Sequence, residues 1–203
     1  MSPRLSLSAL LAVSACAPEP ASSVELRQTI TEIVDLGRAL AIEQTAVALS
    51  TDLDPAAEPA DLAQGLLASL AVTTSCAEVS AFGAAGLRVD FGPPGAPCSG
   101  QAPDLSGSLR VEFTTPTPDE RLATLTHLDL GRAGATLTGT TQVTWGPDGT
   151  LQVVSELRLE SPEARQLEIQ SDRIQADLNG SLKIDGWQQW QTLMGRWKLE
   201  IGG

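Results

Sequence analysis

The sequence predicts an α+β fold, with N-terminal helices packed on a curved antiparallel β-meander of about eight or nine strands. Three observations predict it. Apolar residues recur at helical spacing over 24–71, the period switches to two from Leu87 onward, and short Gly-, Pro- and Asn-rich links separate the alternating runs. Strict alternation buries one face and wets the other, which antiparallel sheets permit and parallel sheets rarely do.

The elements follow in order. Ser22 and Glu25 have capping-box spacing just before an apolar-periodic run. Leu26, Ile30, Ile33 and Val34 open that run, and Ala39, Leu40, Ala46, Val47 and Leu49 continue it, with a bend expected at Gly37. Pro55 ends this helix, since the residue before proline avoids helical geometry. A second helix is expected from Ala60 to Ala71 on Leu62, Leu66, Leu67 and Leu70. Strands are then read at 87–91, 105–113, 135–145, 151–160, 166–170 and 174–178, and around Leu182–Ile184 and Trp197–Ile201. Their inward faces are expected to carry Leu87, Val89, Phe91, Leu109, Val111, Phe113, Leu137, Val143, Val153, Leu157, Leu167 and Ile169. The same reading turns Ile174, Ala176 and Leu178 inward, opposite Gln175 and Asp177. Turns fall at 131–134, 146–149 and Asn179-Gly180, the last a strong hairpin signal. The sheet's apolar face needs a cover, and the 24–50 helix, through Leu26, Ile30, Ile33 and Leu40, is the expected one.

Composition narrows the function. Twenty-five acidic residues against 13 basic give a formal charge of −12, which argues against nucleic acid, because phosphate recognition needs clustered Lys and Arg. Lysine occurs only at Lys183 and Lys198, so a polybasic membrane patch is not expected either. At 42% hydrophobic and 19% charged, the 203 residues have a globular balance and enough length for one domain, drawn here as 24–203. One His and three Cys leave little for a metal site, and no cofactor is expected.

The first 15 residues read as a signal peptide: Arg4, an apolar run from Leu5 to Val13, then Ser14 and Ala15. The apolar run is far below the roughly 20 residues needed to span a bilayer. The segment Val13-Ser14-Ala15-Cys16 resembles the lipobox of bacterial lipoproteins. The resemblance implies cleavage before Cys16 and acylation of Cys16 with palmitate-type chains. With Ala17 next, it also implies sorting to the outer membrane of the cell envelope. Residues 16–23 would then be the lipidated Cys and a short tether. In that exported, oxidising setting Cys76 and Cys98, the two cysteines left, are expected to form a disulfide worth roughly 3 kcal/mol in the chain-entropy model. The run Val89-Asp90-Phe91-Gly92, then Cys98, then Leu105-Ser106-Gly107-Ser108, is similar to a pattern in β-rich envelope lipoproteins of Gram-negative bacteria, a family without an agreed activity.

No nucleophile elbow, Walker loop, dinucleotide fingerprint, zinc-protease motif or EF-hand loop is present. His127 shares the parity of Asp129 and opposes Leu128 and Leu130, so it is read as solvent-facing. Glu156 and Glu160 alternate with Arg158 as a solvated face should. The least ordinary feature is Trp187, Trp190 and Trp197 in a chain with no Tyr and three Phe. Trp187 and Trp190, at i and i+3, are read as sharing a helical face with Met194. They either plug the end of the core or rim a surface for a ligand or partner. Three functions follow: a non-enzymatic envelope lipoprotein serving as a binding or structural module, a periplasmic carrier of lipid or another apolar ligand, or a hydrolase without a recognisable motif. The carrier reading is an analogy of shape with outer-membrane lipoprotein chaperones, whose curved sheet is covered by helices. Expected partners are the membrane through Cys16 and an envelope protein or apolar ligand.

Overall fold

A computed structural model describes residues 22–73, 77–93, 105–118, 120–146, 148–163, 165–178, 181–192 and 195–201. Cys16, Cys76, Cys98 and the Asn179-Gly180 turn lie outside the described residues. Contacts divide the chain into two units, Met1–Val34 and Asp35–Gly203. The first is described from residue 22 and contributes the opening turns of helix α1 (Ser23–Thr51). The second holds the remainder of α1, helix α2 (Pro59–Thr73) and all nine strands.

The strands are β1 (Glu78–Phe82), β2 (Gly86–Asp90), β3 (Ser106–Thr114), β4 (Arg121–Arg132), β5 (Ala135–Trp145), β6 (Leu151–Glu160), β7 (Gln166–Leu178), β8 (Ser181–Thr192) and β9 (Gly195–Ile201). They pair antiparallel in sequence order, the meander that the short links predict. The helices begin where local chemistry says they should. The Ser22 carbonyl accepts the Leu26 N–H at 3.0 Å, and Pro59 sits in the first turn of α2, where a missing N–H costs nothing. At the far end of α1 the Ser50 and Thr51 hydroxyls bond back to the Ala46 and Val47 carbonyls. α1 runs as one helix through Gly37, where a bend was expected.

Leu36, Ala39, Ile42, Ala46 and Val47 of α1 and Leu62, Leu66 and Leu70 of α2 are buried in one core with the inward residues of β2 to β7. Leu26, Ile30 and Ile33 are exposed, which corrects the expectation that they cover the sheet, whereas Leu40 packs against the core as expected; Val34 is exposed too. In the second unit the residues of α1 that turn inward are Leu36, Ala39, Ile42, Ala46 and Val47, at helical spacing.

Three further readings change. The first strand is β1, not the run at Leu87. Its EVSAF sequence alternates over only four residues, ending on Ala81-Phe82, and none of the five is buried, so the run is too short and too exposed to read as a strand. His127 is buried at 1% exposure, because the β4 register slips between His127 and Leu130. Asp129 takes a left-handed φ of 53° in that bulge, so counting parity back from Leu130 gives the wrong face. Last, β7 keeps one phase over its whole length. Ser171, Arg173 and Gln175 follow Leu167 and Ile169 inward, and Ile174 faces out at 52% exposure.

Two glycines make room for large polar partners. Gly139 of β5 pairs with His127 and Leu157, and Gly186 of β8 pairs with Arg173. Both have positive φ, 119° and 144°, and a Cβ on either would sit within 2.3 Å of a neighbouring carbonyl oxygen. Gly37 on α1 has nothing within 4 Å. Gly139→Ala should therefore cost at least about 2 kcal/mol, since backbone cannot move aside as a side chain would. Gly37→Ala should gain roughly 0.5–1 kcal/mol of helix propensity. Urea melts of the two variants check both signs.

Candidate functional site: a buried polar patch beneath α1

From β2 to β6 the inward side of the sheet is mostly apolar, with Leu87, Val89, Leu109, Val111, Ala123, Leu125, Leu137, Val143, Val153, Leu157 and Leu159 all buried. At β7 and β8 its chemistry changes. Ser171, Arg173 and Gln175 stand at i, i+2 and i+4 on β7, and Gln188 of β8 pairs with Ser171. All four are at most 3% exposed. Register carries the polar row further: Ser171 pairs with Ser155 of β6, and Ser155 with Thr141 of β5.

α1 meets this patch with Glu43, which is 1% exposed. A guanidinium nitrogen of Arg173 lies 2.7 Å from the Glu43 carboxylate, with both side chains 1% exposed, and the Ser155 hydroxyl donates to the other carboxylate oxygen. That contact spends one side of the guanidinium on Glu43, and Arg173 Nε has no hydrogen-bond partner. A second charged group lies eight residues earlier on α1. Asp35, fully buried, accepts from Arg38 at 2.8 Å and from two nitrogens of Arg165 at 2.7 and 3.1 Å. The hydrogen bonds to Asp35 hold the Arg165 guanidinium above its ordinary value.

His127 closes the row on the β4 side. Its Nε2 lies 3.0 Å from Thr141 Oγ1, and both residues are fully enclosed. Burial lowers the imidazole from 6.5 to about 4, because the charged form would lose its hydration, so the ring is neutral at pH 7. An enclosed neutral His against an enclosed Thr has the makings of a packing contact. A nucleophile needs a route to substrate.

The patch has an excess of buried donors without hydrogen-bond partners. Among the described residues, Gln44 Nε2, Arg173 Nε, Gln175 Nε2, Gln188 Nε2 and Trp190 Nε1 are unpaired N–H groups. Gln188 Oε1 is an unpaired acceptor there, and Ser171 Oγ and His127 Nδ1 can serve either way. An unsatisfied buried polar group costs roughly 1–3 kcal/mol, so a cluster of them is not stable packing by itself.

The tryptophans are placed differently from the expectation. Trp187 and Trp190 are on a strand, so three residues apart they face opposite sides, and no helical face joins them. Trp190 packs against the core at the margin of the polar patch, whereas Trp187 faces outward with Lys198 Nζ 5.8 Å from its ring centre. Trp197 pairs with Trp190 through the backbone, and its side chain lies outside the described residues. Glu156 and Glu160 are exposed, as their alternation predicts. A surface depression lined by Glu78, Ser80, Arg88 and Asp90 is an ordinary solvated ion-pair cluster, with Arg88 3.5 Å from Asp90 and both side chains more than two-fifths exposed.

The sequence reading missed Arg173, Gln175 and Gln188. The available signal was the phase of β7: carried unbroken from Leu167, it puts Arg173 inward, but Ile174 drew the phase the other way. Among the described residues no three or more His, Cys, Asp or Glu are grouped to hold a metal ion, and no helix is long and apolar enough to cross a membrane. No protein-family model, curated protein or solved structure matches this chain.

Two outcomes test the energetics. Glu43→Gln strands the Arg173 charge and should cost about 3–5 kcal/mol, whereas Glu43→Met with Arg173→Met should return to near wild-type stability in urea melts. For His127 the folded state resists protonation, so the unfolded chain binds the extra proton between pH 6.5 and about 4. Stability should fall through that window as pH drops, by up to about 3 kcal/mol, and then level off. His127→Gln should lack that component when melts at pH 7, 5.5 and 4 are compared with wild type.

Proposed function

We propose that this chain is a lipid-anchored, non-enzymatic binding module of the bacterial cell envelope, and that the β7–β8–α1 patch holds a small neutral ligand rich in hydroxyl or carbonyl oxygens. The observation that carries the reading is the group of buried, unpaired N–H donors at Gln175 Nε2, Gln188 Nε2 and Arg173 Nε. Such a group calls for acceptor oxygens. A neutral ligand fits better than an anion, because Glu43 already balances the Arg173 charge at 2.7 Å. The same polar lining suits an apolar cargo poorly, which favours this reading over a lipid carrier. The hydrolase reading has less support: its one His meets Thr141 through Nε2, but its Nδ1 has no partner to orient the ring as a base. The envelope address rests on Val13-Ser14-Ala15-Cys16 alone.

Mass spectrometry of the native chain taken from membranes tests both parts. The amino-terminal peptide should begin at Cys16 and carry acyl mass, and the intact protein should carry a non-covalent small molecule. Gln188→Leu should remove that molecule and, by deleting unpaired polar atoms, raise the melting temperature of the ligand-free chain by about 2–4 °C. A bare chain whose Gln188→Leu variant is merely more stable would mean that the patch holds only water, and would overturn the binding site. An unacylated amino terminus would overturn the anchor.

A further inference from the structure

We infer that the opening turns of α1 lie on the surface of a lipid bilayer, so that the apolar stripe of Leu26, Ile30, Ile33 and Val34 is covered by acyl chains. These four side chains are 53%, 60%, 55% and 48% exposed, an unusual concentration of large apolar surface in three turns of helix. At about 100° per residue they fall within roughly a 100° arc, the pattern of a helix that beds one side into an interface.

Two independent features select a bilayer as the occupant. The first is charge. Arg27, which is exposed, is the one basic residue among residues 22–34 and flanks the stripe one turn before Ile30 and two before Val34, where a headgroup phosphate would meet it. Glu32 falls round the other side of the helix, away from the stripe. A chain of net charge −12 would otherwise be repelled by an anionic surface, so the fit is to zwitterionic lipid, with apolar burial supplying the affinity. The second is reach, and here the inference rests on the anchor proposed above. Six residues lie between Cys16 and Ser23, and the seven Cα-to-Cα steps of that segment span at most about 25 Å when fully extended. An acylated Cys16 therefore holds the stripe permanently within range of the membrane that it is anchored to. A lipid chain and an interfacial helix together give the two signals that stable attachment requires.

The test separates the helix from the anchor by removing the anchor. The mature chain with Cys16→Ser is mixed with phosphatidylethanolamine–phosphatidylcholine vesicles and sedimented. We expect it to partition onto the vesicles, and Ile30→Gln with Ile33→Gln to lower the partition coefficient at least tenfold, since both substitutions remove exposed apolar area that the bilayer would cover. Both positions are exposed, so the melting temperature should not move. Partition that survives the double substitution, or no partition at all, overturns the inference even if Cys16 is acylated in the cell. A concentration-dependent dimer that the same substitutions abolish would assign the stripe to a second copy of the chain and overturn it as well. Vesicle binding by a chain whose native amino terminus carries no lipid would leave the helix contact standing and remove only the anchor.

Discussion

The contact on which the rest depends is the buried pair of Glu43 on α1 and Arg173 on β7. It joins the helix layer to the part of the sheet where apolar packing runs out. A helix held on a sheet by Leu and Val contacts alone can shift by a turn at small cost, because such contacts are non-directional. A carboxylate that must meet a guanidinium at 2.7 Å and a serine hydroxyl at the same time has one position. Asp35, gripped by Arg38 and Arg165, adds a second such point two turns earlier. Well-packed apolar residues would hold the layers together as strongly, so the pair is better understood as setting helix position than as adding net stability.

Where strands were legible, it was because they bury one face. In β3, β5 and β6 the alternation of Leu, Val and Phe with charged and small polar residues maps directly onto buried and exposed positions. The same rule failed wherever the inward face is not apolar. Along β7 the pattern L-E-I-Q-S-D-R-I-Q contains two competing phases, and the one favoured by hydrophobicity turns Ile174 inward. Only continuity of the strand decides for Arg173. At His127 the obstacle was a bulge: one extra residue reverses parity and leaves no mark in the sequence beyond an Asp at a left-handed position. The candidate site was therefore hidden by its own nature, since a buried polar patch violates the rule by which buried faces are found.

Sequence order adds a further constraint. The strands pair in the order in which they occur, so a change in composition along the chain becomes a change across the sheet. Inward residues up to Ile169 are mainly aliphatic, and from Ser171 to Gln188 they are mainly polar. The boundary falls within β7 itself, near Ile169 and Ser171, and α1 crosses it with Ile42 among the aliphatic residues and Glu43 among the polar ones. Two neighbouring helix residues thus serve two different environments, which only a fixed helix rotation allows.

That fixed rotation holds for the part of α1 that covers the sheet, from Asp35 onward. The stripe with Leu36, Ala39, Ile42, Ala46 and Val47 is committed to the core, and Glu43 locks it there. Within Asp35–Thr51 the helix cannot roll on the sheet, because rolling would pull Glu43 away from Arg173 and leave two charges unpaired in the interior.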